Sequence, residues 1–324
     1  MAMLLTLRQI EYVVQVAECG SISAASQALR ISQSSVLAAI DLAEETAGTR
    51  IFDRRKGRGI AVTPAGQKFL VSARRFLSAR VDFCSSLDEL TNAGSQTIRV
   101  GCFSSLGALL IPPVAKRMLQ EYGETEFILY EGDQVELRNW LTQGMLDVVV
   151  TYDIGEEYGQ ATTPICKCPA HALVHCDDPL ADKATVSMDD LSHRPLVLLD
   201  LSETRTYLMA LFDFATRRPK LSLRTRSYET IRAAVTNGLG ISVLNFKPSL
   251  EGSPDGPELR RIPISDPLRQ PTLMVVDPYG DHKPAYVRSF ISCVHRYISE
   301  LGQDNFAVVD PKFSQDLIYP RPKL

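Results

Sequence analysis

Three short helical stretches, each with its own start and stop signal, followed by two apolar runs around a cationic hexapeptide, restrict the first ninety residues to very few folds. Leu7, Ile10, Val13, Val14 and Ala17 keep helical spacing, with Thr6 and Gln9 placed as a capping box and Gly20 as the stop. A second helix is expected from Ser23 as cap through Ala24, Ala25, Ala28 and Leu29, its small side chains allowing two helices to cross closely. After Arg30-Ile31 a third begins with Ser32 as cap, carries Val36, Ala39, Ile40, Ala43 and Ala47 on one stripe, and ends at Gly48. The runs Arg50-Ile51-Phe52-Asp53 and Ile60-Ala61-Val62 then flank Arg54-Arg55-Lys56-Gly57-Arg58-Gly59. They read as a hairpin with a cationic tip able to lie along a DNA backbone.

Charge supports that reading. The whole chain carries −3, yet between Arg50 and Arg80 nine cations face Asp53 alone, a local +8. A basic N-terminal module on a mildly acidic remainder is the asymmetry expected when one domain meets phosphates and the other does not. The polar first turn of the third helix, Ser32-Gln33-Ser34-Ser35, stands where a helix-turn-helix presents its recognition helix to base edges and phosphates. The candidate DNA contacts are therefore Ser23, Ser32, Gln33, Ser34, Ser35, Arg54, Arg55, Lys56 and Arg58. For Ser32 a plain capping role and for Gln33 a solvated helix position are the simpler alternatives. Thr63 caps and Pro64 opens a long helix, along which Phe69, Leu70, Ala73, Phe76, Leu77, Phe83, Cys84, Leu87 and Leu90 form a stripe interrupted by Arg80. Such a stripe needs a partner, either a helix of a second chain or its own domain.

At this point a resemblance becomes specific. Leu7-Arg8-Gln9-Ile10, Ala17-Glu18, Gly20-Ser21, Ala24-Ala25, Ala28-Leu29, Ser32-Gln33, Ile40, Glu44-Glu45, Gly48, Phe52, Arg54 and Val62-Thr63-Pro64-Ala65-Gly66 resemble, in order, the DNA-binding end of the LysR family of transcriptional regulators. The match runs from about Thr6 to Leu70. Ser34 stands where the family often has proline, and Leu37 and Ala38 where it usually has serine and a basic or polar residue. Those departures shift expected readout to Gln33, Ser34, Ser35 and the basic wing.

Small and polar residues at 91–95 mark a hinge, and beyond it the pattern changes to alternating strands and helices. Strands are expected at 98–103, 127–130, 148–152, 196–199, 221–225, 241–244 and 273–276, and helices at 113–122, 135–143, 204–214, 228–237 and 285–298, the late strand and helix returning to the first lobe. This alternation gives two α/β lobes with a cleft between them at strand carboxyl ends and helix starts. Val100-Gly101, Leu110-Ile111-Pro112, Glu131-Gly132, Leu141 with Gly144 and Asp147, Asp178-Pro179-Leu180-Ala181 and Asn237-Gly238-Leu239-Gly240-Ile241 resemble the effector domain of the same family, itself similar to periplasmic solute-binding proteins. The resemblance implies effector contacts at Ser104, Ser105, Asp133 beside Gly132 and Gln134, the loop carrying Leu201, Ser202 and Glu203, and Gly240. A serine hydroxyl beside free helix-start amides suits a carboxylate, the simpler role being a helix cap. Asp133 would then require a donor group elsewhere on the ligand.

The expected architecture is an all-α winged helix-turn-helix (1–63), a linker helix that dimerises (64–92), a two-lobed α/β effector domain (93–303) and a tail (304–324) whose packing the sequence leaves open. As the family implies, the chain would act on double-stranded promoter DNA as a homodimer or homotetramer, respond to a small organic effector such as a carboxylate, and engage RNA polymerase, with no cofactor. The absence of an export signal and of an apolar run near ~18 residues points to the cytoplasm. A solute-binding receptor is the rival reading, favoured by the lobes and opposed by the basic wing. Neither a Gly-x-x-x-x-Gly-Lys run nor a Gly-x-Ser-x-Gly elbow starts an enzymatic argument. Seven scattered cysteines suit reduced thiols, and Cys166, Cys168, His171, His175 and Cys176 lack a chelate spacing, so no metal is expected.

Overall fold

The computed structural model describes residues 5–55, 59–91, 96–248, 257–313 and 316–322. The chain divides into two compact units, residues 1–94 with 142–145, and residues 95–141 with 146–324.

In the first unit, caps decide where each helix begins. Helix α1 (Leu7–Cys19) has the expected capping box between Thr6 and Gln9 and stops at Gly20 in the left-handed conformation, φ 61°. Helix α2 (Ile22–Leu29) starts earlier than expected because its cap is Ser21, whose extended backbone aims the hydroxyl at the Ala24 amide. Ser23 is already helical and points outward. Arg30 ends α2 at φ 55°, a left-handed position that usually falls to glycine or asparagine. Helix α3 (Gln33–Ala47) is capped by Ser32, which accepts the Ser35 amide at 3.1 Å, and closes at Gly48.

The wing consists of β1 (Phe52–Arg55) and β2 (Gly59–Val62), antiparallel with Phe52 opposite Val62. Arg54 and Arg55 thus belong to the strand rather than to the tip. It is held by Glu44 of α3, whose Oε1 accepts the Ile51 and Phe52 amides at 2.8 and 3.0 Å. Thr63 donates to the Arg50 carbonyl at 2.7 Å and caps the amide of Gly66 at 2.9 Å, starting α4 (Pro64–Thr91). Gly66 is required there: a Cβ would stand 2.1 Å from the Ile51 carbonyl oxygen.

The core of this unit gathers Val13, Val16, Val36, Ile40, Ile51, Phe52 and Leu70. That splits the expected seam of α4. Leu70 and Ala73 are buried on their own unit and Phe69 and Leu77 lean on it, whereas Phe76 and Phe83 are 42% and 63% exposed. The side chains of Cys84, Leu87 and Leu90 lie outside the described residues.

The second unit runs β3 (Gln96–Phe103), α5 (Gly107–Tyr122), β4 (Thr125–Gly132), α6 (Gln134–Thr142), β5 (Val148–Tyr152), β6 (Ala161–Lys167), β7 (His171–His175), α7 (Met188–Ser192), β8 (Leu196–Leu199), α8 (Ser202–Leu211), β9 (Leu221–Thr225), α9 (Tyr228–Thr236), β10 (Ser242–Leu244), β11 (Leu259–Pro263), β12 (Thr272–Asp277), α10 (Ala285–Leu301) and α11 (Gln303–Phe306). One lobe has the sheet order β4-β3-β5-β12-β6, with β3 parallel to β4 and β5, and β12 antiparallel to β5 and β6. The late strand does return to the first lobe. In the other lobe β8 is parallel to β9 and bridges in parallel to Ile241, while β7 lies antiparallel between β10 and β11. Each lobe thus repeats one scheme, a strand flanked by two parallel neighbours and then antiparallel returns. Crossover helices between strands build its parallel part.

Helix α5 begins well before the expected residue 113 and runs through Pro112 and Pro113. Each proline removes a backbone donor, but Leu110, Ile111 and Val114 are buried in the core, and that packing outweighs the missing bonds. The tail packs too. Lys167 donates to the Leu317 carbonyl at 2.8 Å and Tyr319 to the Ile165 carbonyl at 2.9 Å, so residues 317–319 cover the edge of β6. Among the described residues no helix is long and apolar enough to cross a membrane.

Candidate effector cleft and DNA-binding surface

The two lobes of the second unit meet at the carboxyl ends of their parallel strands, where open-sheet α/β folds place ligands. Phe103, Ser105, Tyr152 and Ile154 of the first lobe face Leu199, Thr204, Leu208, Tyr228 and the run Val243-Leu244-Asn245-Phe246 of the second. They line a narrow cleft whose free interior is about 20 Å³, room for about one water with the lobes as they stand. Its walls are largely apolar, with hydroxyl and amide groups at a few points, the usual make-up of a small-molecule site.

Ser105 lies on the turn from β3 into α5, closed by the Leu106 amide donating to the Phe103 carbonyl at 2.8 Å. The residue at the cap of α5 is Leu106, and no side chain caps the helix. Neither serine has therefore taken the simple capping role, and Ser105 faces the cavity beside helix-start amides that favour negative charge. Ser104 instead donates its amide to the Gly132 carbonyl and does not line the cavity. One carboxylate already belongs to this region: a Cβ on Gly107 would fall 1.9 Å from Glu131 Oε1, so the Glu131 side chain rests against the first residue of α5.

Asp133 is engaged elsewhere. Its Oδ1 accepts the Val135 and Glu136 amides at 3.0 Å each, and Glu136 reciprocates by accepting the Asp133 amide at 2.9 Å, a capping box at the start of α6. Its Oδ2 lies 3.6 Å from Arg226. Gly240 is also placed by backbone needs: at φ 145° its Cα packs on Pro195, whose carbonyl a Cβ would meet at 2.2 Å, and it sits at the strand-start end of β8, away from the cleft.

On α8 the start at Ser202, earlier than expected, rotates the assignments. Leu201 is buried, Ser202 is exposed, and neither lines the cavity. Glu203 turns to the first lobe and pairs with Arg138 of α6, both side chains about 15% exposed. Arg138 also donates to the Glu156 carbonyl at 2.8 Å and lies over the Tyr158 ring. Thr204, one residue further, lines the cavity and hydrogen-bonds Gln134 Oε1 at 3.2 Å. Glu203–Arg138 and Thr204–Gln134 thus tie the lobes beside the cleft.

In the first unit Gln33, Ser34 and Ser35 are exposed at the start of α3, the two serine hydroxyls each 2.8 Å from that of Ser32. Gln33 Nε2 donates to Ser23 Oγ at 3.3 Å, so the side chain expected to cap α2 instead joins the polar surface of α3. Arg54 and Arg55 occupy the end of β1, and Lys56 and Arg58 lie outside the described residues.

Residues 7–67 match the bacterial regulatory helix-turn-helix family of LysR type, and residues 91–299 match the LysR substrate binding domain. The chain belongs to the LysR family. Its relatives include the uncharacterized regulator YvbU of Bacillus subtilis, 28% identical over 77% of this chain and 84% of that protein. The transcriptional dual regulator GltC of the same organism is 27% identical over 92% and 99%. A crystal structure of a LysR family regulator from Pseudomonas aeruginosa is 29% identical, covers 90% of this chain and 98% of its own, and superimposes with a TM-score of 0.56. LysR regulators bind promoter DNA and small-molecule effectors and act as oligomers. This LysR chain is accordingly a DNA-binding transcriptional regulator with an effector domain, not an enzyme. The helix-turn-helix match removes the case for a stand-alone solute receptor.

Several cleft residues of this LysR regulator escape a sequence reading. Tyr228 opens α9 and Asn245 follows β10, positions that the strand-end rule singles out once strand boundaries are known. Thr204 stands at the expected start of the helix but turns inward because α8 starts at Ser202. The crowd of cysteines and histidines divides, with donor atoms of His175, Cys176 and Asp177 staying within 4.8 Å of one another. Cys166 and Cys168 are buried with their sulfurs 3.9 Å apart, His171 accepts from Arg261 at 2.7 Å, and His175 accepts the Asp177 amide in a turn beside Cys176.

Proposed function

We propose that the cleft holds a small organic acid, its carboxylate received by Ser105 and the first amides of α5, and that its occupancy alters how the dimer or tetramer spaces its DNA-binding heads. The observation that carries this is Ser105 lining the interlobe cavity at the start of a helix with no side-chain cap. Opening the lobes to admit a ligand, against ties such as Glu203–Arg138, and closing them on it supplies the two-state element that effector control needs.

On the DNA side, Gln33, Ser34 and Ser35 with Ser23 and Ser32 form the reading edge, while Arg54, Arg55, Lys56 and Arg58 follow the phosphates. The division into 1–63, 64–92, 93–303 and a packed tail assigns dimerisation to α4, where Phe76 and Phe83 remain exposed. RNA polymerase is the expected partner once DNA is bound, and the cytoplasm the compartment.

Two experiments test the reading. Replacing Arg54, Arg55 and Arg58 with alanine should weaken binding to all duplexes and lower the slope of log affinity against log salt by about one unit per lost phosphate contact. An unchanged slope contradicts the wing's role. A thermal-shift screen of acids, hydroxy acids, amino acids and amines, repeated on Ser105→Ala, should return acids whose stabilisation depends on Ser105. Binding indifferent to that change places the site elsewhere.

A further inference from the structure

Asn245 stands on the second-lobe wall of the cleft, directly after β10, and its amide is locked by two different elements. Its Nδ2 lies 3.0 Å from the carbonyl oxygen of Cys168, just after β6, and 2.9 Å from the hydroxyl of Tyr207 on α8. A peptide carbonyl only accepts, so the group facing Cys168 must be the NH2 end, and this settles which way the amide points. Both of its hydrogens are then committed. Oδ1 has no hydrogen bond among the described residues and is not sealed from solvent, and the side chain that carries it lines the cavity.

The two walls therefore ask for opposite things. Ser105 and the start of α5 offer donors, and Asn245 Oδ1 offers a fixed acceptor that cannot rotate into a donor without breaking both bonds. An apolar or purely anionic ligand filling the cavity would strip water from Oδ1 and leave it unpaired, which is the costly outcome in a partly desolvated site. A ligand with a hydroxyl or ammonium hydrogen in reach satisfies it. Asp133, the acceptor the sequence suggested, is closed off as the cap of α6, and Asn245 takes its place.

Resting on the cleft reading above, we infer that Asn245 determines specificity, selecting effectors that carry a hydrogen-bond donor besides their acid: hydroxy acids and amino acids over simple acids.

The test is calorimetry on the full chain with matched probes: lactate and β-alanine against propionate, 3-hydroxybutyrate against butyrate, and salicylate against benzoate. In at least one pair the donor-bearing member should bind about ten-fold tighter, the worth of one hydrogen bond in such a site. Asn245→Leu should bring that pair to within about two-fold by weakening only the donor-bearing member. Tyr207→Phe, which removes one of the two acceptors orienting the amide, should lower the discrimination part of the way, and Ser105→Ala should weaken both members alike. Pairs that native protein binds equally, or a preference that survives in both Asn245→Leu and Tyr207→Phe, overturn the inference while the Ser105 response keeps the cleft. No probe bound, or binding indifferent to Ser105→Ala, overturns the cleft reading and this inference with it.

Discussion

Removing the Glu44 carboxylate should loosen the wing before it affects anything else. Glu44 Oε1 accepts the amides of Ile51 and Phe52 at 2.8 and 3.0 Å, and both residues are buried, so no side chain rotation brings water in to replace it. Hydrogen bonds to a charged group contribute roughly 1.5–3 kcal/mol each. The two share one oxygen and are not additive, which sets about 3 kcal/mol for Glu44→Ala. Glu44→Gln keeps a carbonyl acceptor without the charge and should cost about 1 kcal/mol. Glu44→Asp is a methylene too short and should behave like alanine. Against a stability of roughly 5–15 kcal/mol for a domain of this size, the larger loss is readily seen in urea denaturation. Amide exchange locates it: protection at Ile51 and Phe52 should fall in the alanine and aspartate variants and largely persist in glutamine. Affinity for any duplex should drop in parallel, because β1 carries Arg54 and Arg55. A loss under about 0.5 kcal/mol with unchanged protection at both amides would refute the reasoning.

Three other outcomes follow from the geometry. Phe76→Glu with Phe83→Glu should lower the mass measured by light scattering, since both rings are exposed on α4 and a charge there would be buried unpaired in a helix pair; an unchanged mass in soluble protein would assign dimerisation elsewhere. Arg138→Ala should cost about 3 kcal/mol by leaving the Glu203 carboxylate enclosed without its cation, and the Arg138→Ala/Glu203→Gln double variant should recover part of that loss in thermal melts. His171 is fully buried, and burial, with Arg261 beside it, holds its pKa well below the usual value. The unfolded chain takes up that proton near pH ~6.5 and the folded chain does not, so the stabilisation is complete above that pH and lost as pH falls below it, by at most about 1.4 kcal/mol per unit. Urea titrations from pH 8 to 5 should show this component vanish in His171→Gln.

Local chemistry was legible where one residue type can do one job. Thr6 with Gln9, Ser32, Gly48 and Thr63-Pro64 all act where the sequence places them, because a cap is read over three or four neighbouring residues. It failed where two candidates stood close together: Ser21 and Ser23 offer the same hydroxyl, and only the packing of α2 chooses Ser21. Pro112 and Pro113 hid the first turn of α5, since the packing of this helix that overrides them includes α10, far along the chain. The cleft was legible as a place, at strand ends between lobes, and Ser105 with it. Its second-lobe wall was not, because the orientation of Asn245 depends on Cys168 and Tyr207, residues 77 and 38 positions away in the chain.

The central claim is that occupation of the cleft is felt at the DNA, and one titration addresses it. Select a duplex from random sequence with the full-length protein, then measure its affinity and footprint while titrating the acid that the Ser105-dependent screen ranks first. Coupling between sites of this kind is typically about 1–3 kcal/mol, so affinity or footprint should change by roughly 5- to 150-fold or in extent, reciprocally with a change in acid affinity when DNA is added. In Ser105→Ala the duplex should bind as before and the response to acid should disappear. Acid bound in the cleft with neither affinity nor footprint altered would contradict the account.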